Sequence, residues 1–158
     1  GAHILVPGQL TQGLYYVESP RDGRAIFVMP WQGQTLVGTT ETRFRGDPDA
    51  VEPLLSEKQY LVGVLRHYFP RYADLTVRGL SGSFAGLRVL PSGPGHAFHR
   101  SREVLIAPDR LNRPRFVGVY GGKLTAWRAT AEQVRRRVAD SLPARRARAD
   151  TRSHLLVI

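Results

Sequence analysis

A chain of 158 residues with 42% hydrophobic content is long enough for one ordinary core and short for two, so a single compact unit is expected. Cys 0 excludes a disulfide framework, a thiolate metal site and a cysteine nucleophile, and no apolar run of about eighteen residues or basic-then-apolar leader appears. The net charge of +10 raises the question of an anionic partner, which depends on where the cations lie.

The first third reads as an antiparallel sheet. His3-Ile4-Leu5-Val6, Leu14-Tyr15-Tyr16-Val17 and Ala25-Ile26-Phe27-Val28-Met29 are short β-branched or aromatic runs bounded by Gly and Pro. Pro20-Arg21-Asp22-Gly23 predicts a hairpin between the second and third runs, because Asp-Gly tolerates positive φ. Gln32-Gly33-Gln34 turns the chain into Thr35-Leu36-Val37-Gly38. Ser56-Glu57-Lys58-Gln59 has the pattern of a capping box, ahead of a helix that puts Tyr60, Leu61, Val64, Leu65, Tyr68 and Phe69 on one face and stops at Pro70.

Extended segments are predicted around Leu75-Thr76-Val77, Leu87-Arg88-Val89-Leu90 and Val104-Leu105-Ile106, with a Gly/Pro/His-rich loop from Pro91 to His99. Phe116-Val117-Gly118-Val119-Tyr120 reads as the last buried strand. A second helix is predicted from about Thr125, with Trp127, Ala131, Val134, Val138 and Leu142 on its apolar side and Arg135 to Arg137 on its polar side, fraying after Pro143. Seven arginines (135, 136, 137, 145, 146, 148, 152) crowd the last stretch and read as a solvated face. No nucleic-acid partner is expected, since Trp31 and Trp127 sit in apolar patterns and do not interleave with the cations. The apolar end Leu155-Leu156-Val157-Ile158 suggests a piece of something longer.

Several residues carry chemistry. Gly121-Gly122-Lys123-Leu124-Thr125 lies between a strand and a helix, an arrangement that can bind an anion through unsatisfied amides, the helix dipole and the lysine; a tight turn with a solvent-facing lysine is the equal alternative. Arg88, in an apolar strand-like segment, needs either an internal carboxylate or an anionic ligand. His3 alone is more often a satisfied core histidine than a base. Thr39 and Thr40 offer hydroxyls to a ligand or simply end a strand. The five histidines lack metal-ligand spacing, so no metal is expected, and there is no Gly-x-Ser-x-Gly elbow for a hydrolase.

In order and spacing the chain resembles the flavin-linked glycerol-3-phosphate dehydrogenases of the D-amino-acid-oxidase-like flavoproteins. The resemblance is carried by Gly1-Ala2-His3-Ile4-Leu5-Val6-Pro7, Ile26-Phe27-Val28-Met29-Pro30-Trp31, Gly38-Thr39-Thr40-Glu41, Gly46-Asp47-Pro48, Ala85-Gly86-Leu87-Arg88, Ser101-Arg102-Glu103 and Gly121 to Arg128. It implies an α+β fold: the antiparallel sheet of a substrate domain with two main helices, plus the terminal strand and helix of an FAD domain. The expected division is a substrate-binding region at 1–115, a strand-turn-helix of the FAD domain at 116–143 and a basic, truncated tail at 144–158.

The resemblance further implies oxidation of glycerol 3-phosphate to dihydroxyacetone phosphate by hydride transfer to FAD, with a quinone as electron acceptor. His3, Arg88 and Lys123 would be catalytic; Arg88, Arg102 and Lys123 would bind the substrate; and Gly121, Gly122, Lys123, Leu124 and Thr125 would contact the flavin. The expected location is cytoplasmic, peripheral at the inner face of the membrane through the parent enzyme. No Gly-x-Gly-x-x-Gly occurs, so the chain alone is expected to be inactive and not to hold FAD tightly. It departs from the family pattern at Val89, Ala126 and Trp127, which bears on substrate choice. The other readings are a different oxidoreductase of the same flavoprotein class and a non-catalytic basic binding module.

Overall fold

Gln32 and Gly33 both have positive φ (47° and 78°) and close a two-residue hairpin, which brings Trp31 opposite Gln34. This turn sets the register of the first sheet. In a computed structural model describing residues 1–89, 103–146 and 148–154, the strands there are β1 (Ala2–Val6), β2 (Tyr15–Glu18), β3 (Ala25–Trp31), β4 (Gln34–Gly38) and β5 (Gly82–Ala85). They form an antiparallel sheet in the order β2-β3-β4-β1-β5. The Asp22-Gly23 hairpin is present, with Gly23 at φ 68° and its N–H donating to Ser19 O at 2.8 Å.

Alternation along the strands divides the sheet into two unlike faces. Ile4, Val6, Ile26, Val28 and Val37 lie on the face covered by α1 (Leu55–Tyr68), where Leu61, Val62, Val64 and Leu65 complete the core with Leu10 and Tyr72. His3, Leu5, Phe27, Leu36, Gly38 and Phe84 belong to the other face, paired across the ladders. The helix ends at Tyr68, since Pro70 cannot continue it and opens a 3₁₀ turn instead.

Three local expectations are corrected. The helix begins two residues before the predicted box: Leu54 is the N-cap, and the third helical residue, Glu57, accepts from the Leu54 N–H at 3.0 Å. Leu75-Thr76-Val77 is not a strand but leads into a 3₁₀ turn at Val77–Gly79. The strand near Arg88 lies earlier, at Gly82–Ala85, because the final ladder contact is made by Gly86 N–H to Gly1 O (3.0 Å), after which the chain leaves the sheet.

The chain divides into two compact units, Gly1–Arg88 and Val89–Ile158, where a single one was expected. In the second, β6 (Val104–Pro108) and β7 (Val117–Gly121) form an antiparallel hairpin, followed by a 3₁₀ turn (Leu124–Ala126) and α2 (Trp127–Val138). Thus β6 pairs with β7 and not with the first sheet. The strand expected to be buried is largely open: Phe116, Val119 and Tyr120 are exposed, and no residue of α2 is buried. The apolar side predicted for α2 also fails to find cover, with Trp127 58% exposed and Leu142 exposed as well. Two strands and one helix have too few layers to enclose side chains of that size. Among the described residues no helix is long and apolar enough to cross a membrane.

Candidate functional site

His3 owes its position to strand alternation: its neighbours Ala2 and Ile4 point into the core, so the imidazole must stand on the opposite face. There it is half-buried. Its ring stacks on Phe84 of β5, with centroids 5.0 Å apart and planes 9° from parallel. On the other side, Gly38 of β4 faces it across the ladder, and the Cδ2–Nε2 edge of the ring occupies the space a β-carbon on Gly38 would need. No described residue hydrogen-bonds either ring nitrogen. Burial pushes the imidazole pKa below its ordinary 6.5, and the nearby chain amino group adds to the shift, so the neutral base is favoured. His3 is therefore not the satisfied core histidine of the alternative reading.

Thr40, offered by the sequence as a ligand donor, has a structural task. Its hydroxyl accepts from the Ala2 N–H (2.8 Å) and donates to Glu57 Oε1 (2.6 Å), and Thr42 donates to the same oxygen at 2.7 Å. Thr39 donates to Thr40 O at 3.0 Å. Glu57 is only 8% exposed and has its oxygens satisfied by Thr40, Thr42 and Leu54. Burial raises its pKa, but these three hydrogen bonds outweigh burial and hold it below 4.5. This network fixes the start of β1, and hence His3, against the start of α1. The sequence signal for it was a glutamate in the first helical turn, passed over in favour of the Ser56 pattern.

Arg88 is exposed and lies three residues past β5, so the expectation of a charge in a buried strand is corrected. No carboxylate among the described residues pairs with it. Arg102 lies outside the described residues, as does the Pro91 to His99 loop.

The glycine turn of the second unit takes left-handed backbone at both glycines, as either a tight turn or an anion site would. Gly121 and Gly122 take φ of 69° and 82°, which L side chains adopt at a cost of about 1–2 kcal/mol per residue. Space is also short there, since a β-carbon on Gly121 would lie 3.1 Å from Glu103 O. Lys123, at the N-cap of the 3₁₀ turn, and Ala126, at the N-cap of α2, give no side-chain cap, and no acidic residue occupies the first turn of α2. The Ala126 and Trp127 N–H groups donate back to Lys123 O and Leu124 O within the 3₁₀ turn. Lys123, Leu124 and Thr125 are exposed, and Leu124 is 88% so. The helix itself starts two residues later than predicted, after the 3₁₀ turn.

Residues 1–137 match the family model described as FAD dependent oxidoreductase. The chain belongs to this family. Among relatives of these FAD dependent oxidoreductases, the aerobic glycerol-3-phosphate dehydrogenase of Escherichia coli (strain K12) is 34% identical over 136 residues, covering 84% of this chain and 26% of that protein. D-erythritol 1-phosphate dehydrogenase of Brucella abortus (strain 2308) is 30% identical over 145 residues, 90% of this chain and 28% of that protein. The crystal structure of the glycerol-3-phosphate dehydrogenase from Bacillus halodurans complexed with FAD superposes with a TM-score of 0.68 at 26% identity, over 87% of this chain and 25% of that one. The chain spans about a quarter of the length of these oxidoreductases. The α+β fold expected from the resemblance is the one observed.

Proposed function

We propose that this chain supplies the substrate face and the last flavin-contacting turn of an enzyme that oxidises glycerol 3-phosphate to dihydroxyacetone phosphate. The observation that carries the reading is the half-buried imidazole of His3, stacked on Phe84 and hydrogen-bonded by no described residue, on the sheet face opposite α1 in an FAD dependent oxidoreductase. When bound, FAD supplies a two-electron hydride acceptor. The neutral imidazole of His3 takes the proton of the substrate C2 hydroxyl as the carbonyl forms, and burial suits it to that task by keeping it unprotonated near pH 7. Arg88, Arg102 and Lys123 are each substrate-binding residues on this reading, cations of the kind that suit a phosphate dianion.

On this reading the Gly121-Gly122 turn faces the pyrimidine end of the flavin, where left-handed φ angles suited to glycine let a ligand approach the backbone. Residues 116–143 are on this reading the terminal strand-turn-helix of the flavin half, after a substrate region at 1–115 and before a basic tail at 144–158. Reoxidation by a quinone at the inner membrane surface completes the turnover.

A second reading, a longer phosphorylated polyol as substrate, draws on the similarity to the erythritol phosphate enzyme, which extends over 90% of the chain. The test is anaerobic flavin bleaching in the complete enzyme with each polyol phosphate. Faster bleaching by glycerol 3-phosphate than by D-erythritol 1-phosphate supports the first reading, and the reverse order replaces it by the second. His3→Gln should slow bleaching by roughly 10²–10⁴-fold at saturating substrate if His3 is the base.

A further inference from the structure

We propose that Gly38 and Phe84 are positioning residues that together fix the plane of the His3 imidazole. The proposal rests on the reading of His3 as an active-site residue and goes beyond it in naming what holds the ring. An ideal β-carbon built on Gly38 would lie 2.1 Å from His3 Cδ2, 2.6 Å from Nε2 and 2.7 Å from Cγ, all well inside contact distance. The ring thus rests on the bare Cα of β4. Gly38 is not among the glycines with positive φ, so no left-handed backbone demands glycine there, and the space a side chain would need is taken by the imidazole.

The opposite boundary is Phe84, parallel to the ring within 9° and aligned with His3 in the β1–β5 register. Strand β1 cannot move aside to relieve a clash. Ala2 and Ile4 are fully buried on either side of His3, and Ala2 is tied in both directions to Thr40, through N–H to Oγ1 at 2.8 Å and through Thr40 N–H to Ala2 O at 3.2 Å. A side chain at position 38 must therefore turn the imidazole out of its stack. A catalytic base displaced by an ångström loses its alignment with the proton it takes, and the rate falls steeply.

The test is a mutant cycle in the 158-residue chain, followed by thermal unfolding and by the proton resonances of the His3 ring. Gly38→Ala should lower Tm by roughly 4–10 °C, as overpacking does in a chain of this size. In a His3→Ala background the same change should shift Tm by less than about 2 °C, because the clash is gone. Folding of the double variant when Gly38→Ala alone does not fold gives the same answer. Equal loss in both backgrounds, or failure to fold in both, overturns the proposal for Gly38.

Phe84→Leu keeps apolar volume on the edge strand and should leave the fold intact while abolishing the upfield displacement of the His3 ring protons caused by stacking. An unmoved His3 resonance overturns the role of Phe84. In the complete enzyme, Phe84→Leu and Gly38→Ala should lower kcat more than they raise KM. If His3→Gln leaves flavin bleaching unchanged while the thermal coupling persists, the reading of His3 as a base fails and the packing relation stands.

Discussion

The two units of this chain have similar apolar content to work with and put it to different use. Every buried hydrophobic among the described residues lies between Ala2 and Tyr72, in the unit of five strands and one long helix. The second unit leaves Leu105, Phe116, Val119, Tyr120, Leu124 and Trp127 exposed on a hairpin and a helix. Hydrophobic residues become a core only when enough layers surround them, and five strands under a helix provide that where two strands do not. His3 on the first unit consequently rests on packed strands, whereas the glycine turn of the second rests on local backbone conformation.

The largest expected effect breaks the comparison directly. Leu61→Ala removes a fully buried side chain of α1 and should destabilise by about 2–5 kcal/mol, while Leu124→Ala, at an exposed position, should stay within about 0.5 kcal/mol. Denaturant midpoints of the two variants measure this. A Leu124→Ala loss matching that of Leu61→Ala would mean that the second unit carries a core of its own.

Next in size is Glu57→Gln. The carboxylate accepts from two hydroxyls and a backbone N–H, and hydrogen bonds to charged groups contribute about 1.5–3 kcal/mol each way they are measured, so a loss in that range is expected above pH 5. Because the folded pKa is depressed below 4.5, this stabilisation is present above that value and fades as pH falls through the folded one. Urea titrations at several pH values should show the parent and Glu57→Gln converging in acid. A constant gap across the range would remove the charge from the explanation.

Gly63→Ala should act in the opposite direction. Gly63 sits inside α1 with open space where a β-carbon would go, and replacing a helical glycine by alanine stabilises by about 0.5–1 kcal/mol. The same change at Gly122, where φ is 82°, should instead destabilise. Thermal midpoints rising for one and falling for the other would sharpen the contrast between a glycine tolerated in a helix and one required by a turn.

Much of this was legible before any coordinates. The first four strands and the α1 face follow from short β-branched runs and a strong helical period, because local pattern and tertiary demand agree there. Gly82-Ser83-Phe84-Ala85 escaped notice: glycine and small residues carry little strand signal, and its pairing with β1 is set by a partner eighty residues away. Gly86-Leu87-Arg88-Val89 misled in the other direction, being apolar enough for a strand yet lying beyond the ladder. Val117 to Tyr120 looked buried because composition reports hydrophobicity and not the number of layers available. His3 was singled out by resemblance, but its bed on Gly38 depends on cross-strand register, which no local pattern encodes.

The smallest expected effect concerns the acid side of the first unit, and it separates His3 from Glu57. Burial, with the chain amino group adding to it, depresses the His3 pKa below 6.5, so the unfolded chain binds a proton at a higher pH than the folded one does. Above 6.5 both states are neutral at this position and it contributes no pH dependence. As pH falls below 6.5 the unfolded state takes up the proton first, and stability declines until the folded pKa is passed, after which the loss is complete. Glu57 enters below 4.5, so its window opens at a lower pH than that of His3. His3→Gln should flatten the stability curve of the chain in the interval just below pH 6.5, whereas Glu57→Gln should flatten it below 4.5. The other four histidines are present in both proteins, so the difference between parent and variant isolates His3. Guanidinium midpoints at half-unit pH steps provide the measurement, and a parent and His3→Gln that run parallel through that interval would show that the imidazole is as free to protonate in the fold as in the open chain.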